Sequence, residues 1–88
     1  MSDRYLLDCT FRDGGYYNNW NFKISTFKRY LNFVSKNKID AVEVGFRFKD
    51  RKKYYGQFAF SLDSFLNKFK FPKKVLICVM INCSDFIN

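Results

Sequence analysis

Leu7-Asp8-Cys9-Thr10-Phe11-Arg12-Asp13-Gly14-Gly15 is an apolar run that stops at a cation, a carboxylate and two glycines. A strand that ends this way carries charge at its carboxyl end. Gly14 and Gly15 make the following turn permissive, so Arg12 and Asp13 can be aimed apart, one at developing negative charge and the other at a cation. Tyr5 to Thr10 reads as the strand itself, and residues 11–23 as a long loop carrying Tyr16, Tyr17, Asn18, Asn19 and Trp20.

Beyond that loop, Ile24, Phe27, Leu31 and Val34 recur at spacings of three and four, which predicts a helix from Ile24 to Lys36 with these residues on one face. Lys36 and Lys38 suit the negative end of its dipole, and Asn37 suits a left-handed cap. Ala41 to Phe46 reads as a second strand, and residues 47–60 as a polar, aromatic-rich loop. Ser61 can cap a short helix whose stripe is Leu62, Phe65, Leu66 and Phe69, ending before Pro72; Lys74 to Asn82 is a third strand. The order β-α-β-α-β with apolar strands predicts an α/β fold, a parallel sheet reached by right-handed crossovers. Three strands and two helices are about three-eighths of a closed (β/α)8 barrel of about 250 residues. The 88 residues therefore read as one partial domain, the amino-terminal part of an incomplete barrel. As a free-standing open sheet it would leave two edges and one face uncovered.

Composition narrows the classes. With 48% hydrophobic and 22% aromatic residues the chain is not of disordered type, and it holds no apolar run of the roughly 20 residues a membrane span needs. Met1-Ser2-Asp3-Arg4 lacks the features of an export signal, so a cytoplasmic protein is expected. Three cysteines without a CxxC pair suggest neither a disulfide framework nor a zinc site. The net charge of +8 invites a nucleic-acid reading. That reading is disfavoured, because Phe, Lys, Asn, Ile and Tyr are abundant together, as A/T-rich coding would make them. The dense cluster Lys49-Asp50-Arg51-Lys52-Lys53 contains an acid and reads as a solvated loop.

Period-two alternation puts Asp8 and Thr10 on one face of the first strand. In the second strand it sends Val42 and Val44 to the helices and leaves Ala41, Glu43 and Gly45 pointing inward; in the third, Val75, Ile77, Val79 and Ile81 form the helix-facing set. Glu43 is the only glutamate in the chain. Inside an apolar strand an unpaired carboxylate costs several kcal/mol, so it requires a partner: Arg12, a metal ion or a lysine from elsewhere. Asp8, Thr10, Arg12, Asp13, Glu43 and Asn82 are then expected to gather at the carboxyl ends of the strands, where such folds put their active sites. Alternatively, Asp8 and Glu43 form ion pairs with Arg12 for stability, beside an ordinary Asp13-Gly14 turn.

The run Leu7 to Trp20, with its Asp8-x-Thr10-x-Arg12-Asp13-Gly14 core, resembles the DxTxRDG signature of the DRE-TIM metallolyases, the HMGL-like superfamily with a pyruvate carboxyltransferase domain. It is most similar to the branch of 4-hydroxy-2-oxovalerate aldolase, and Ala41 to Arg47 and Val79 to Asn82 fall where that branch has matching strands. The resemblance implies a divalent-metal-dependent aldolase or lyase that makes or breaks a carbon–carbon bond beside a small-molecule 2-oxo acid. Asp13 would then ligate Mg or Mn, Arg12 would stabilise the oxygen of a pyruvate enolate, and Glu43 would support the metal or its waters. Asp8, Thr10, Tyr16 and Asn82 would sit around the substrate. The superfamily completes its metal site with His-x-His from a later strand, and this chain has no histidine, so the metal site is incomplete and the isolated chain is expected to be inactive. Tyr16 stands where the branch has a catalytic histidine; a tyrosine of ordinary pKa, about 10, can donate a proton but is a poor base at neutral pH. Tyr16, Tyr17 and Trp20 could equally form a hydrophobic lid. Two other readings are a small basic module that binds nucleic acid or acidic surfaces, and a scaffold that forms an oligomer through its sheet edges.

Overall fold

The computed structural model describes residues 5–85; Met1 to Arg4, read above for export, lie outside them. Three parallel strands form an open sheet in the order β1 (Leu7–Asp8), β2 (Ala41–Phe46), β3 (Leu76–Met80). Helix α1 (Thr10–Gly14) follows β1 directly, α2 (Ile24–Lys36) makes the crossover to β2, and α3 (Asp63–Leu66) lies in the crossover to β3. The expected α/β architecture is present, and the sheet does not close. No helix among the described residues is long and apolar enough to cross a membrane.

The core lies between sheet and helices. Phe27, Leu31 and Val34 bury the inner face of α2 against Val42 and Val44 of the central strand. Ile24 was expected on that face and is exposed, because it is the first residue of the helix and the buried stripe begins only at Phe27. Asn37 is not a left-handed cap: its backbone is extended, and its side-chain amide instead donates to the Phe33 carbonyl at 2.8 Å. Phe27 is fully buried, its ring centroid 5.0 Å from that of Phe11, 4.7 Å from Phe58 and 4.8 Å from Phe69. Aromatic side chains carry much of this core because an 88-residue chain has few residues to bury and each ring removes a large area from water.

Several expected boundaries move. The first strand is shorter than Tyr5 to Thr10, and the segment after it is not a loop: Thr10 opens α1, and a 3-10 turn, Gly15–Tyr17, continues it. Neither Gly14 nor Gly15 uses the left-handed freedom expected of it, since φ is −63° at both. Gly15 is needed for space, because a Cβ there would run into the Trp20 indole. The left-handed residues are Asn19 and Trp20, both at φ 58°. Asn tolerates that region; Trp does not, and its strain is offset by burial of the indole. Ser61 does not cap α3. It is fully buried at φ 45°, its hydroxyl donates to the Phe58 carbonyl at 3.0 Å, and Leu62 occupies the cap position.

A register shift between Glu43 and Gly45 changes the alternation in β2. Glu43 keeps its inward direction beside Cys78, but Gly45 turns toward the helix layer, where a Cβ would meet the Phe58 carbonyl and the Ser61 hydroxyl. Phe46 thereby comes to the open side. At the other end of the sheet, Leu7 and Leu76 flank buried Ala41 and are 49% and 59% exposed, so the uncovered inner face expected of an open sheet is present among the described residues.

Replacing Phe27 with Ala is expected to cost about 3–5 kcal/mol, whereas Phe33→Ala on the outer face of α2 should cost under about 1 kcal/mol. Denaturant melts of the two variants test this; equal midpoints would mean that the α2–sheet interface is not the core.

Candidate active site

Helix α1 leaves β1 within two residues and packs across the carboxyl end of β2, which carries Arg12 over the sheet. The Arg12 Nε–H donates to Glu43 Oε1 at 3.0 Å. Glu43 is only 9% exposed, so this contact satisfies a carboxylate that the strand would otherwise bury unpaired. The same contact raises the Arg12 pKa, chiefly through the hydrogen bond to Glu43, which outweighs the opposing effect of burial, and then through the Glu43 charge. Arg12 is thus a fixed cation whose outer N–H groups are left for other acceptors.

A second contact orients the turn. The Trp20 indole N–H donates to the Arg12 carbonyl at 2.9 Å, and the Trp20 backbone N–H donates to the Gly15 carbonyl at 3.0 Å. The loop after β2 closes on this turn, with the Gly56 N–H donating to the Asn19 carbonyl at 2.8 Å and no room for a Cβ at Gly56. Beyond β3, Asp85 accepts the Lys49 backbone N–H at 3.1 Å and holds the segment after β3 against the same loop.

Between these segments lies an open hollow of about 700 Å³ at the carboxyl ends of β2 and β3. Arg12, Tyr16 and Asn82 line it, as do Phe46, Tyr54 and Tyr55. Arg12, Glu43, Tyr16 and Asn82 therefore come together as the sequence led one to expect. Asp8 and Thr10 do not. Asp8 pairs in register with Val42, on the helix-facing side, and its Oδ1 accepts the Tyr30 hydroxyl at 2.7 Å and the Thr10 backbone N–H at 2.9 Å. Nor does Asp8 form the ion pair with Arg12 that was the alternative. Thr10 is exposed on the first turn of α1, away from the hollow. Ile81, assigned to the helix-facing set, lines the hollow instead, because β3 ends at Met80 and the alternation ends with it. Trp20 is buried framework rather than lid, and Tyr17 is exposed and lines nothing.

Asp13 bears on metal binding. Its side chain is 72% exposed and its Oδ1 lies 3.8 Å from the Arg12 Nη1. Among the described residues no group of three or more His, Cys, Asp or Glu side chains could hold a metal ion. One exposed carboxylate does not fit a resident divalent cation, which takes six or more oxygen ligands or retains several waters. The described residues on their own make no metal centre.

The residues missed in the sequence are the aromatic wall and Tyr30. Phe46 was hidden by the register shift. Tyr54 and Tyr55 lie in a loop whose fold depends on Gly56 docking against Asn19, and no short-range signal marks that contact. Tyr30 could have been found, since it lies one turn from Phe27 on α2 and Asp8 lies on a strand face that meets that helix.

In fold the chain matches a crystal structure described as the N-terminal domain of a "putative aldolase" from Bacteroides vulgatus, with a TM-score of 0.83 and 36% sequence identity. The match covers 93% of this chain and 27% of that one, so the chain spans about a quarter of the length of the protein it resembles. At that identity the likeness extends from the fold to the sequence, without a branch being selected. No protein-family model and no curated protein matches the chain.

The Asp8–Tyr30 pair makes stability depend on pH in a stated direction. Burial opposes ionisation of Asp8, but the Thr10 N–H and the Tyr30 hydroxyl outweigh it and hold the carboxyl below its ordinary value. Burial and the Asp8 acceptor push the Tyr30 phenol well above its ordinary 10.0. The Asp8 contribution is therefore present above about pH 3.8 and is lost as pH falls through the lower folded value. The Tyr30 contribution is present below pH 10 and is lost as pH rises beyond it. Tyr30→Phe should cost about 1 kcal/mol at pH 7, and that cost should shrink toward zero near pH 2. Melts of both proteins across this range check it; a difference independent of pH would show that the hydroxyl acts by packing alone.

Proposed function

We propose that this chain supplies the amino-terminal strands of an aldolase- or lyase-type (β/α)8 barrel acting on a 2-oxo acid, the branch resembling 4-hydroxy-2-oxovalerate aldolase. The observation that carries this reading is the Arg12 guanidinium, braced by Glu43 and facing an open hollow at the carboxyl ends of parallel strands. The aldolase-like neighbour supports it.

In cleavage of a 4-hydroxy-2-oxo acid, the C4 hydroxyl gives its proton to a base that the rest of the barrel would supply, the bond between C3 and C4 breaks to release an aldehyde, and its electron pair moves into a C2–C3 double bond while the keto oxygen takes up the charge. An arginine whose Nε is already fixed can direct its outer N–H groups at that oxygen with no reorganisation during the reaction. Glu43 keeps the guanidinium in place, and Tyr16 at the rim can give a proton to C3 of the enolate. A divalent ion, Mg or Mn, would polarise the keto group; Asp13 would provide one of its ligands, and the others would come from residues beyond the described ones. A complete barrel is part of this proposal, as is the inactivity of the chain by itself.

The basic-module reading has less support. In the cluster 49–53, Lys49 is held to Asp85, the Arg51 guanidinium lies 4.8 Å from the Phe60 ring centroid, and Lys52 lies over Tyr54 at 6.0 Å. Salt-sensitive binding of single-stranded RNA by the chain would favour it instead.

Oxalate, a planar dianion like the enolate of pyruvate, should shift the NMR resonances of Arg12, Tyr16 and the Trp20 indole, and Arg12→Gln should abolish the response. Mn titrated alone should bind only weakly, at about millimolar concentration, and Asp13→Asn should remove that binding. Within an active barrel, Arg12→Ala should lower turnover by roughly a hundred- to a thousandfold. Unchanged turnover with metal still bound would remove Arg12 as the enolate stabiliser.

A further inference from the structure

The hollow is large and chemically one-sided. At about 700 Å³ the hollow is open toward the side where further strands of a barrel would lie, so its preference is read from its lining rather than from its volume. Of the described residues that line it, Arg12 alone carries a charge. The rest of its chemistry is aromatic. Phe46 and Phe48 stack face to face at 4.4 Å with their planes 6° apart, and Tyr55 continues the stack 5.4 Å beyond Phe48. Tyr54 stands edge-on to Tyr55 at 5.0 Å and is 60% exposed, as is Tyr16 on the opposite rim. Phe46 is itself part of the buried core, and Phe48 and Tyr55 pack against it, yet all three also line the hollow. A ladder of rings running away from a single fixed cation is complementary to a ligand with an anionic head and a flat apolar tail. A cationic ligand, the other class that aromatic walls attract, is opposed by Arg12.

Resting on the 2-oxo acid reading of this site, we infer that the preferred substrate or product carries an aromatic or similarly flat apolar group. Its carboxylate and keto oxygens lie toward Arg12, and its ring lies along Phe46, Phe48 and Tyr54. Tyr54 sets this specificity rather than the chemistry. It lies on the loop beyond β2, exposed at the mouth, so its substitution leaves the Arg12–Glu43 contact in place.

Trp20 is the only tryptophan, and its indole N–H bonds the Arg12 carbonyl while its ring touches Phe46, Phe48 and Tyr55, so one NMR resonance reports on both halves of the hollow. The 88-residue chain is titrated with pyruvate and, separately, with phenylpyruvate. Phenylpyruvate should bind roughly ten- to a hundredfold more tightly. Tyr54→Ala should close most of that gap without changing pyruvate binding, and Tyr54→Phe should restore it. Equal affinities for the two acids, or a gap unaltered by Tyr54→Ala, would overturn the specificity inference while leaving Arg12 as the keto-acid site. Arg12→Gln with undiminished binding of both acids would overturn the 2-oxo acid reading, and this inference with it.

Discussion

The Arg12–Glu43 contact is the constraint on which the rest of the structure depends. It joins the first turn after β1 to the inner face of the central strand, at 3.0 Å and partly shielded from water. A hydrogen bond between charged groups contributes about 1.5–3 kcal/mol, and loss of one partner leaves the other buried and uncompensated at greater cost. With Arg12 in place, its carbonyl accepts the Trp20 indole N–H, Trp20 takes a left-handed backbone, and Gly15 makes room for the ring. The loop after β2 then has a surface to close on, and Gly56 reaches the Asn19 carbonyl.

This chain of contacts divides the molecule into two aromatic layers. On the helix side, Phe11, Phe27, Phe58 and Phe69 meet at edge-on and tilted angles and carry the stability. On the open side, Trp20, Phe46, Phe48 and Tyr55 form a second layer that shapes the hollow around Arg12. The register shift in β2 separates them, since it turns Gly45 to the first layer and Phe46 to the second. Burying both faces of β2 is what a central parallel strand requires, and all of its residues are buried. The flanking strands are different: Leu7 and Leu76 keep half or more of their surface exposed, as strands at the margins of an open sheet do.

The electrostatics follow the same division. Asp8 is drawn to the helix side by Tyr30 and the Thr10 N–H, where it stabilises the junction of β1 and α1. Glu43 is held on the open side by Arg12. Two carboxylates that a linear reading groups together thus serve opposite faces of the sheet. Asp13, next to Arg12 in the chain, points largely into solvent because α1 turns through about 100° per residue and the two side chains leave it in different directions.

The sequence alone determined the class and order of the elements. Hydrophobic spacing marked α2 to the residue, apolar runs marked the three strands, and the single buried glutamate had to find a cation, because these are short-range consequences of period and of the cost of burying charge. Tertiary structure alone decided the rest. The turn after β1 is helical because Trp20, eight residues on, bonds back to Arg12. Asp8 lies on the helix side because a tyrosine on another element donates its hydroxyl to it, and the wall of the hollow exists because one register shift and one glycine contact bring residues 46–55 over the sheet. Each of these rests on contacts between elements whose relative placement no local pattern specifies, and so none could be read before the chain was folded.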